Sequence, residues 1–332
     1  MKHISILVLK NAVLSSIDSS KQIFTRVNDF LIYQSKEPFF KIELVGLTRN
    51  VTIDNNYSIR CNKVVTEIKH TDLIIIPMVC GDYFMINEKN KEFIPWIKRQ
   101  YYKNAEIASL CVGSFFLAST GLLNGKSCSV HWAAQNDFRK MFPAVKIVPD
   151  KIITYQSGIY TSGGSFSYLN LLLCLIEKFT SREMSLLASK MFEIEFERKR
   201  QAPFVIFQGQ KDHSDQQVKT AQEFIENNFS EKITIEGLCK LVSASRRNFE
   251  RRFKKATANT ISEYVQRVRI ESVKKGLERQ STTISNLMLE AGYSDMKAFR
   301  NIFKKITGLA PVDYKKKYGI KKVSEHSEYE LV

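Results

Sequence analysis

The sequence has 332 residues, which at roughly 100–200 residues per domain corresponds to two or three domains. Hydrophobic residues make up 44% of the chain, which is enough for packed cores and excludes a wholly disordered protein. The 50 lysines and arginines outnumber the 34 aspartates and glutamates, and the resulting net charge of +16 predicts attraction to a polyanion.

The positive charge is densest in the last third of the chain. Residues 1–210 hold 26 basic and 18 acidic side chains and residues 211–332 hold 24 and 16, so each part carries +8. Within the shorter part, the segment 245–255 (SRRNFERRFKK) has six basic residues and one acidic residue. This concentration favours a nucleic acid as the polyanion.

The cysteine pattern and the apolar runs bear on the cellular compartment. The six cysteines contain no Cys-x-x-Cys pair, and the first residues (MKHISILVLK) have too short an apolar run for a signal peptide. No run approaches the ~18 apolar residues of a membrane span. We therefore expect a reduced, cytoplasmic protein with no membrane segment, no metal site and no cofactor.

The first 200 residues alternate short β-branched runs with longer helical stretches. The expected strands are 4–9, 39–47, 72–77 and 105–110, and the expected helices are 111–121, 169–179 and 184–196. This order predicts an α/β domain over residues 1–202, with a doubly wound, flavodoxin-like parallel sheet covered on both faces.

The pattern stops near residue 203, where Pro203, Gly209 and a polar string predict a linker over 203–214. Apolar residues then recur at helical spacing, so we expect an all-α domain over 215–318. The last residues, 319–332, have the composition of a disordered tail.

The all-α domain contains an internal repeat. Segments 234–264 and 283–314 share one pattern, with an offset of 49 at Thr234 and Thr283 and of 50 from Phe249 and Phe299 onward. Each copy is a short helix with a threonine as its expected N-cap, a turn, and a second helix, which is the pattern of a helix-turn-helix motif.

The two copies differ at the turn. The second copy has Gly292 there, a residue that tolerates a positive φ, while the first has Ser243. If φ is positive at that place, serine costs about 1 kcal/mol.

The second helix of each copy has an apolar and a polar face. In the first copy Phe249 and Phe253 are four residues apart and are expected to face the core, which leaves the charged side chains to face outward. Arginine suits both guanine reading and phosphate anchoring. The predicted DNA-binding residues are Arg246, Arg247, Glu250, Arg251 and Lys254 in the first copy, and Met296, Lys297, Arg300, Asn301 and Lys304 in the second.

Residues 234–314 resemble the DNA-binding domain of the AraC family of transcription regulators. The matching residues are Ser245, Arg247, Phe249, Arg251, Phe253, Ile270 and Glu271, followed by Ile284, Ala291-Gly292-Tyr293, Phe299, Phe303-Lys304-Lys305, Thr307-Gly308, Pro311 and Tyr314. The resemblance implies two motifs, joined by a helix over 261–277, that enter successive major grooves of double-stranded DNA. It also implies base contacts from Arg247, Glu250, Arg251, Met296, Lys297 and Asn301, and transcriptional activation through RNA polymerase.

The simplest alternative is that 245–255 is only the solvated face of a basic helix. A charge run by itself favours that interpretation. The repeat and the family pattern together favour DNA binding instead. Non-specific RNA binding is a further alternative, but the segment lacks the aromatic stacking platform typical of such modules.

The segment around Cys111 resembles the nucleophile elbow of the class I glutamine amidotransferase-like superfamily, in its intracellular-protease-like branch. A strand ends at Leu110, Cys111 lies on a sharp turn, and a helix begins with the small residues Gly113 and Ser114. His131-Trp132, Thr161-Ser162-Gly163-Gly164 and Leu14-Ser15-Ser16 extend this resemblance to regulators that join this fold to an AraC-type domain. The predicted ligand pocket consists of Cys111, Val112, His131, Ser162 and Gly163.

Catalysis by Cys111 requires a neighbouring base and a group that orients it. Hydrolytic members of the branch have histidine directly after the cysteine, where this chain has Val112, and other members have an acidic residue after the first strand, where it has residues 11–14 (NAVL). We therefore expect an inactive former active site that binds a small effector in a homodimeric regulator. The alternative is a cysteine-dependent hydrolase or hydratase with a DNA-binding tether.

Overall fold

The computed structural model of the chain describes residues 1–53, 56–195, 200–279 and 282–319. The chain forms two compact units, Met1–Gln201 and Ala202–Val332. The predicted tail over 319–332 lies outside the described residues, apart from Gly319.

The first unit alternates strands and helices as the sequence predicts. Its strands are β1 (Lys2–Leu7), β2 (Phe40–Gly46), β3 (Asn50–Thr52), β4 (Ser58–Arg60), β5 (Lys63–Val64), β6 (Leu73–Ile76), β7 (Glu106–Ser109), β8 (Ser127–Cys128), β9 (Lys146–Ile147), β10 (Ile153–Gln156) and β11 (Ile159–Ser162). Its helices are α1 (Leu14–Tyr33), α2 (Tyr83–Asn90), α3 (Ile94–Tyr102), α4 (Ser114–Ser119), α5 (Gln135–Met141), α6 (Tyr168–Phe179) and α7 (Arg182–Met191).

Among the described residues, the main sheet has seven strands in the order β10-β11-β7-β6-β1-β2-β5. All pairs are parallel except β10 with β11 at one edge. The strands β6 and β7 are almost wholly buried, as in a sheet covered by helices on both faces. The predicted doubly wound, flavodoxin-like fold is therefore confirmed.

The strand order defines the switch point of the sheet. Strand β1 lies between β2 and β6, so the chain leaves β1 toward one side of the sheet and later returns to its other side. In such sheets ligands bind outside the carboxyl ends of the strands at this switch point. Here those ends are followed by residues 8–13 after β1 and 77–82 after β6.

The second unit is helical. Its helices are α8 (Gln216–Asn227), α9 (Ile235–Leu241), α10 (Arg246–Thr257), α11 (Ile261–Arg279), α12 (Ile284–Glu290), α13 (Met296–Thr307) and α14 (Pro311–Tyr318). The helices form two hydrophobic cores, one from residues 218–264 and the other from residues 270–314, and α11 contributes to both. Each core therefore belongs to one copy of the repeat.

The segment 203–214, predicted as a linker, lies within the second unit. A 3-10 turn, Ala202–Phe204, lies at its start, and further along Phe207 bonds to Glu271 of α11 while Gln210 and His213 bond to Gln222 of α8. Directly after the segment, the Asp215 carboxylate accepts a hydrogen bond from the Val218 amide at 3.2 Å and so caps α8. Most of this segment therefore has defined contacts with the helices that follow it. In the described part of the chain, no helix is long and apolar enough to cross a membrane.

Candidate DNA-binding surface and amino-terminal cleft

Both copies of the repeat form a helix-turn-helix. The predicted N-caps are confirmed: the Thr234 hydroxyl accepts a hydrogen bond from the Gly237 amide at 3.0 Å, and Thr283 accepts one from Asn286 at 3.2 Å. These pairs begin α9 and α12. The second helices, α10 and α13, follow after short turns.

The cores of the two copies have nearly the same geometry. Phe249 and Phe253 are fully buried, with ring centroids 5.8 Å apart, and the ring of Phe253 lies edge-on to Tyr264 at 5.4 Å. The second copy repeats this arrangement, with 5.8 Å between its phenylalanines and 5.5 Å to its tyrosine. The buried apolar face leaves the opposite face of α10 and of α13 in solvent.

The exposed face of α10 is strongly basic. Arg246, Arg247, Arg251 and Lys254 are exposed, and Glu250 is half-buried. Arg246 is held by ion pairs with Glu236 at 2.8 Å and with Glu250 at 3.3 Å. Because these pairs are exposed, they contribute little stability and can exchange for contacts with another anion.

The exposed face of α13 is basic near its carboxyl end and mixed near its start. Lys297, Arg300, Asn301 and Lys304 are exposed. Met296, also predicted to contact DNA, is half-buried and packs on the second core. Only the exposed part of the Met296 side chain is therefore available for contacts at the surface.

Arg269 of α11 joins the two copies. Its guanidinium donates to the carbonyls of Phe229 and Glu231, both at 2.7 Å, and to the carbonyl of Gly292 at 3.0 Å. The acceptors belong to the loop between α8 and α9 and to the turn of the second copy. One side chain therefore ties the two motifs together.

The turn of the second copy requires glycine. Gly292 has φ +77°, and a Cβ atom there would lie 2.3 Å from the Ser230 carbonyl oxygen. The corresponding Ser243 of the first copy has φ +50°, so the positive φ considered at this place is present in both copies.

Cys111 has the backbone of a nucleophile elbow. Its φ is +50°, a conformation that L-residues seldom adopt. At Gly113, two residues later, a Cβ atom would lie 2.4 Å from the Pro77 carbonyl oxygen, so glycine is needed for the close approach. The predicted strand–elbow–helix geometry is therefore present.

The Cys111 thiol lies in an environment that opposes ionisation. The residue is 2% exposed. Burial raises the pKa of its thiol to about 11, although hydrogen bonds from the Val112 and Gly164 backbone and the Ser165 side chain act in the opposite direction. A reactive cysteine requires a thiolate near neutral pH, which this environment disfavours.

The other predicted pocket residues are packed by neighbouring groups. The Ser162 hydroxyl accepts a hydrogen bond from the Cys111 amide at 3.1 Å, and Gln201 lies against Gly163. His131 Nδ1 accepts a hydrogen bond from the Ala133 amide at 3.2 Å, and burial lowers the pKa of this imidazole. Val112 is half-buried.

A cleft of about 770 Å³ opens at the switch point of the sheet. It is lined by residues 11–15, Asp18, Ile53, Tyr57 and Cys80. Asn11, with φ +65°, joins its walls: its amide donates to the Ile53 carbonyl at 2.9 Å, and its carbonyl accepts from the Cys80 amide at 2.9 Å. Three loops that are distant in sequence therefore meet at Asn11.

The cleft and the Arg269 contacts were not predicted from the sequence. In the sequence, residues 11–14 stand out only as the place where an expected acidic residue is missing, and Ile53 and Tyr57 carry no signal. Among the described residues, no group of three or more His, Cys, Asp or Glu side chains has the geometry to hold a metal ion.

Each of the two units contains a segment that matches a protein family. Residues 32–178 match the DJ-1/PfpI family, and residues 238–317 match a helix-turn-helix domain family. The chain therefore combines a DJ-1/PfpI domain with an AraC-type helix-turn-helix domain.

Individual relatives are similar to this chain over about two thirds of its length or slightly more. It is 27% identical over 240 residues to the HTH-type transcriptional regulator GbdR of Pseudomonas aeruginosa, covering 71% of this chain and 64% of GbdR. It is 26% identical over 216 residues to the HTH-type transcriptional regulator ArgR of the same species, covering 65% of each. The chain thus matches slightly less than two thirds of the length of these relatives.

A solved structure shares the fold of the first unit. It is the crystal structure of a putative transcriptional regulator from Vibrio parahaemolyticus, with a TM-score of 0.52 and 19% identity. The match covers 57% of this chain and 98% of that one.

Proposed function

We propose that the protein is a sequence-specific, DNA-binding transcription regulator whose amino-terminal unit senses a small ligand. The observation that carries the proposal is the pair of helix-turn-helix motifs in one chain, each with a buried phenylalanine pair and an exposed, mainly basic second helix. Its similarity to two proteins named as transcriptional regulators supports the same function.

The proposed DNA contacts come from α10 and α13. Arg247 and Arg251 lie four residues apart on the exposed face of α10, where both can reach base edges in a major groove. Arg246, Glu250 and Lys254 flank them. In α13 the corresponding contacts come from Lys297, Arg300, Asn301 and Lys304, with Met296 at the margin.

The ligand is proposed to bind at the carboxyl ends of β1 and β6. The cleft there is held open by the hydrogen bonds of Asn11 and is lined mainly by apolar side chains together with Asp18. The β6–α2 segment that contributes Cys80 to the cleft also carries Pro77, whose carbonyl oxygen lies beside Gly113 of the Cys111 elbow. The predicted pocket of Cys111, Val112, His131, Ser162 and Gly163 is proposed as the inner wall of the same ligand-binding region.

The same unit is proposed not to act as an enzyme. The burial that raises the pKa of Cys111 leaves its thiol protonated near neutral pH. The elbow backbone is the one observation that favours the alternative, a cysteine-dependent hydrolase or hydratase. Replacement Cys111→Ser separates the two, because it leaves DNA binding intact in a regulator but abolishes turnover in a hydrolase.

We also propose that the protein acts in the cytoplasm as a homodimer formed by its amino-terminal units, and that it activates transcription through contact with RNA polymerase. Ligand binding would change the spacing of the two DNA-binding units of the dimer. A footprint that stays the same at saturating ligand would contradict this switching mechanism.

The DNA-binding proposal is tested with a duplex selected by the full-length protein from a random pool. Replacement of Arg247 or Arg251 by alanine should weaken binding to that duplex by about 1–3 kcal/mol for each arginine that reads a base. Lys190→Ala is the matched control, because it removes an exposed positive charge from the amino-terminal unit. Equal weakening on selected and random duplexes would assign these arginines to phosphate contacts, and unchanged binding would contradict the proposed surface.

A further inference from the structure

The segment 202–210, called the strap below, begins against the second helix-turn-helix copy. Its 3-10 turn, Ala202–Phe204, contacts α13. A Cβ atom placed on Gly308, the C-cap of that helix, would lie 3.7 Å from the Ala202 Cβ. The ring of Phe204 faces the Lys317 ammonium of α14 at 5.8 Å.

The strap ends against the first copy. The ring of Phe207 lies edge-on to Tyr264 at 5.1 Å, and so contacts the core that supports α10. Gln210 accepts hydrogen bonds from Asn259 and Gln222, both at 3.1 Å. The strap thus touches both copies of the repeat.

Between these ends the strap is anchored to α11 by a buried ion pair. Lys274 and Glu271 are 4% and 8% exposed and lie 2.7 Å apart. The Lys274 ammonium also donates to the Val205 carbonyl at 2.6 Å, and the Glu271 carboxylate accepts from the Phe207 amide at 3.1 Å. Each member of the pair therefore holds one backbone group of the strap.

The anchor lies on a single face of α11. Tyr264, Arg267, Glu271 and Lys274 follow one another at intervals of three or four residues, so they share a face, and the Arg267 guanidinium lies 5.8 Å from the Phe207 ring. Arg269, which ties the copies together through backbone carbonyls, lies on the opposite face. The two copies are thus joined on both sides of the helix that connects their separate cores.

The anchoring contacts suit reversible attachment. In the middle of the strap, Ile206 is 49% exposed, so its side chain adds little apolar burial. Apart from the apolar contacts of Ala202 and Phe207, the strap is held by polar groups, and water can replace the Val205 carbonyl and the Phe207 amide when the strap leaves. The ion pair itself stays intact on α11, so release leaves no unpaired charge.

We propose that the strap is the element through which the amino-terminal unit controls DNA binding. When docked along α11, it holds α10 and α13 in the arrangement that fits one duplex. When it is released, the two copies are held together by the other face of α11 alone. The strap follows directly on the last residue of the first unit, Gln201, so a ligand-dependent change there acts on the strap before any other part of the second unit. This inference rests on the proposed function as a DNA-binding regulator.

The test is an engineered disulfide that reports and locks the docked strap. Ala202→Cys and Gly308→Cys are introduced into the full-length protein with Cys80 and Cys174, the exposed cysteines, replaced by serine. The Cβ separation of 3.7 Å is within the range that a disulfide spans. Cross-linking is followed in a glutathione redox buffer, with and without the selected duplex, and the single-cysteine variants serve as controls.

If docking of the strap and binding of DNA are coupled, each must favour the other. If docking favours DNA binding, saturating duplex should increase the cross-linked fraction at equilibrium, and the oxidised protein should bind the duplex more tightly than the reduced protein, by about fivefold or more. Equal cross-linking with and without duplex, together with equal affinities, would overturn the role of the strap. A parent protein that binds no selected duplex would overturn the proposed function itself, so the two failures are distinguishable.

A second variant removes the anchor without leaving a buried charge. Glu271→Gln combined with Lys274→Met should weaken binding to the full selected duplex by about fivefold or more and should weaken binding to a duplex cut to one major-groove segment far less. Lys275→Met, an exposed neighbour, is the matched control and should bind as the parent does. A double variant with a lowered melting temperature but an unchanged ratio of full-site to half-site affinity would show that the pair is only structural.

Discussion

The turns of the two helix-turn-helix copies give a matched pair of substitutions with opposite expected effects. Gly292→Ser places an L-residue at φ +77° and brings its Cβ to 2.3 Å from the Ser230 carbonyl oxygen. Ser243→Gly does the reverse at φ +50° in the first copy. The same chemical exchange therefore adds strain in one copy and relieves it in the other.

The magnitudes follow from the two environments. A left-handed backbone costs an L-residue about 1–2 kcal/mol, of which about 0.5–1 kcal/mol is offset because glycine loses more conformational freedom on folding. At Gly292 the overlap with a backbone carbonyl adds about 1–3 kcal/mol, since the loop carrying Ser230 must move. We expect Gly292→Ser to destabilise the second unit by roughly 1–4 kcal/mol, and Ser243→Gly to stabilise it by at most about 1.5 kcal/mol.

The unfolding of the two units can be followed by different spectroscopic signals, so the effect can be assigned to one unit. Both tryptophans, Trp96 and Trp132, belong to the first unit, whereas the second unit is helical. In urea, tryptophan fluorescence therefore follows the first unit, and far-ultraviolet circular dichroism follows both. Gly292→Ser should lower the midpoint of the helical transition by roughly 1 M or more and leave the fluorescence midpoint unchanged.

Two outcomes of the unfolding experiment would contradict these expectations. If Gly292→Ser and Ser243→Gly shift the helical transition by similar small amounts, the close approach of the second turn to Ser230 does not restrict the backbone. If Ser243→Gly is clearly destabilising, the positive φ of Ser243 is not a source of strain in the first turn.

Three further predictions concern other parts of the molecule. Burial alone would raise the pKa of Glu43, but hydrogen bonds and charge from His3 and Lys41 outweigh burial and hold this pKa below its usual 4.5. The ionised carboxylate therefore stabilises the first unit at pH values above 4.5. The fluorescence-detected midpoint should fall as pH drops through the lowered pKa, and Glu43→Gln should flatten that dependence; an unaltered pH profile would contradict it. Asp295→Ala removes the carboxylate that accepts from the Ala298 amide at 2.8 Å and should cost the helical transition about 1 kcal/mol. With Ellman's reagent at pH 8, Cys80 should react at once and Cys111 only on unfolding, as mass spectrometry of the labelled peptides would show; rapid labelling of Cys111 would argue against its protonated, buried state.

The helix-turn-helix copies could be predicted closely because their signals are local. The threonine caps, the phenylalanine pairs four residues apart and the positive φ at Gly292 all depend on residues within one or two turns of helix. The connecting helix, expected over 261–277, runs over Ile261–Arg279. The parallel sheet was predictable for a similar reason, since its central strands are continuous apolar runs.

The features missed from the sequence depend on distant backbone groups. Arg269 bonds to carbonyls at positions 229, 231 and 292, and carbonyl groups carry no residue-specific signal. The cleft exists because Asn11 meets Ile53 and Cys80, which are brought together only by the strand order. The strap contains a proline, a glycine and polar residues, as linkers often do. Its sequence does not show that Lys274 and Glu271 bind its backbone.

The near-identity of the two phenylalanine–tyrosine cores has a consequence for the DNA segment that one chain would cover. Two units with the same internal geometry follow each other along the chain, but their outward faces differ: α10 presents three arginines and a lysine, whereas α13 presents Lys297, Arg300, Asn301 and Lys304. Because the two outward faces differ, the two halves of a bound segment would differ in sequence, and its two ends could be told apart. Each bound protomer would therefore carry a fixed orientation with respect to a promoter.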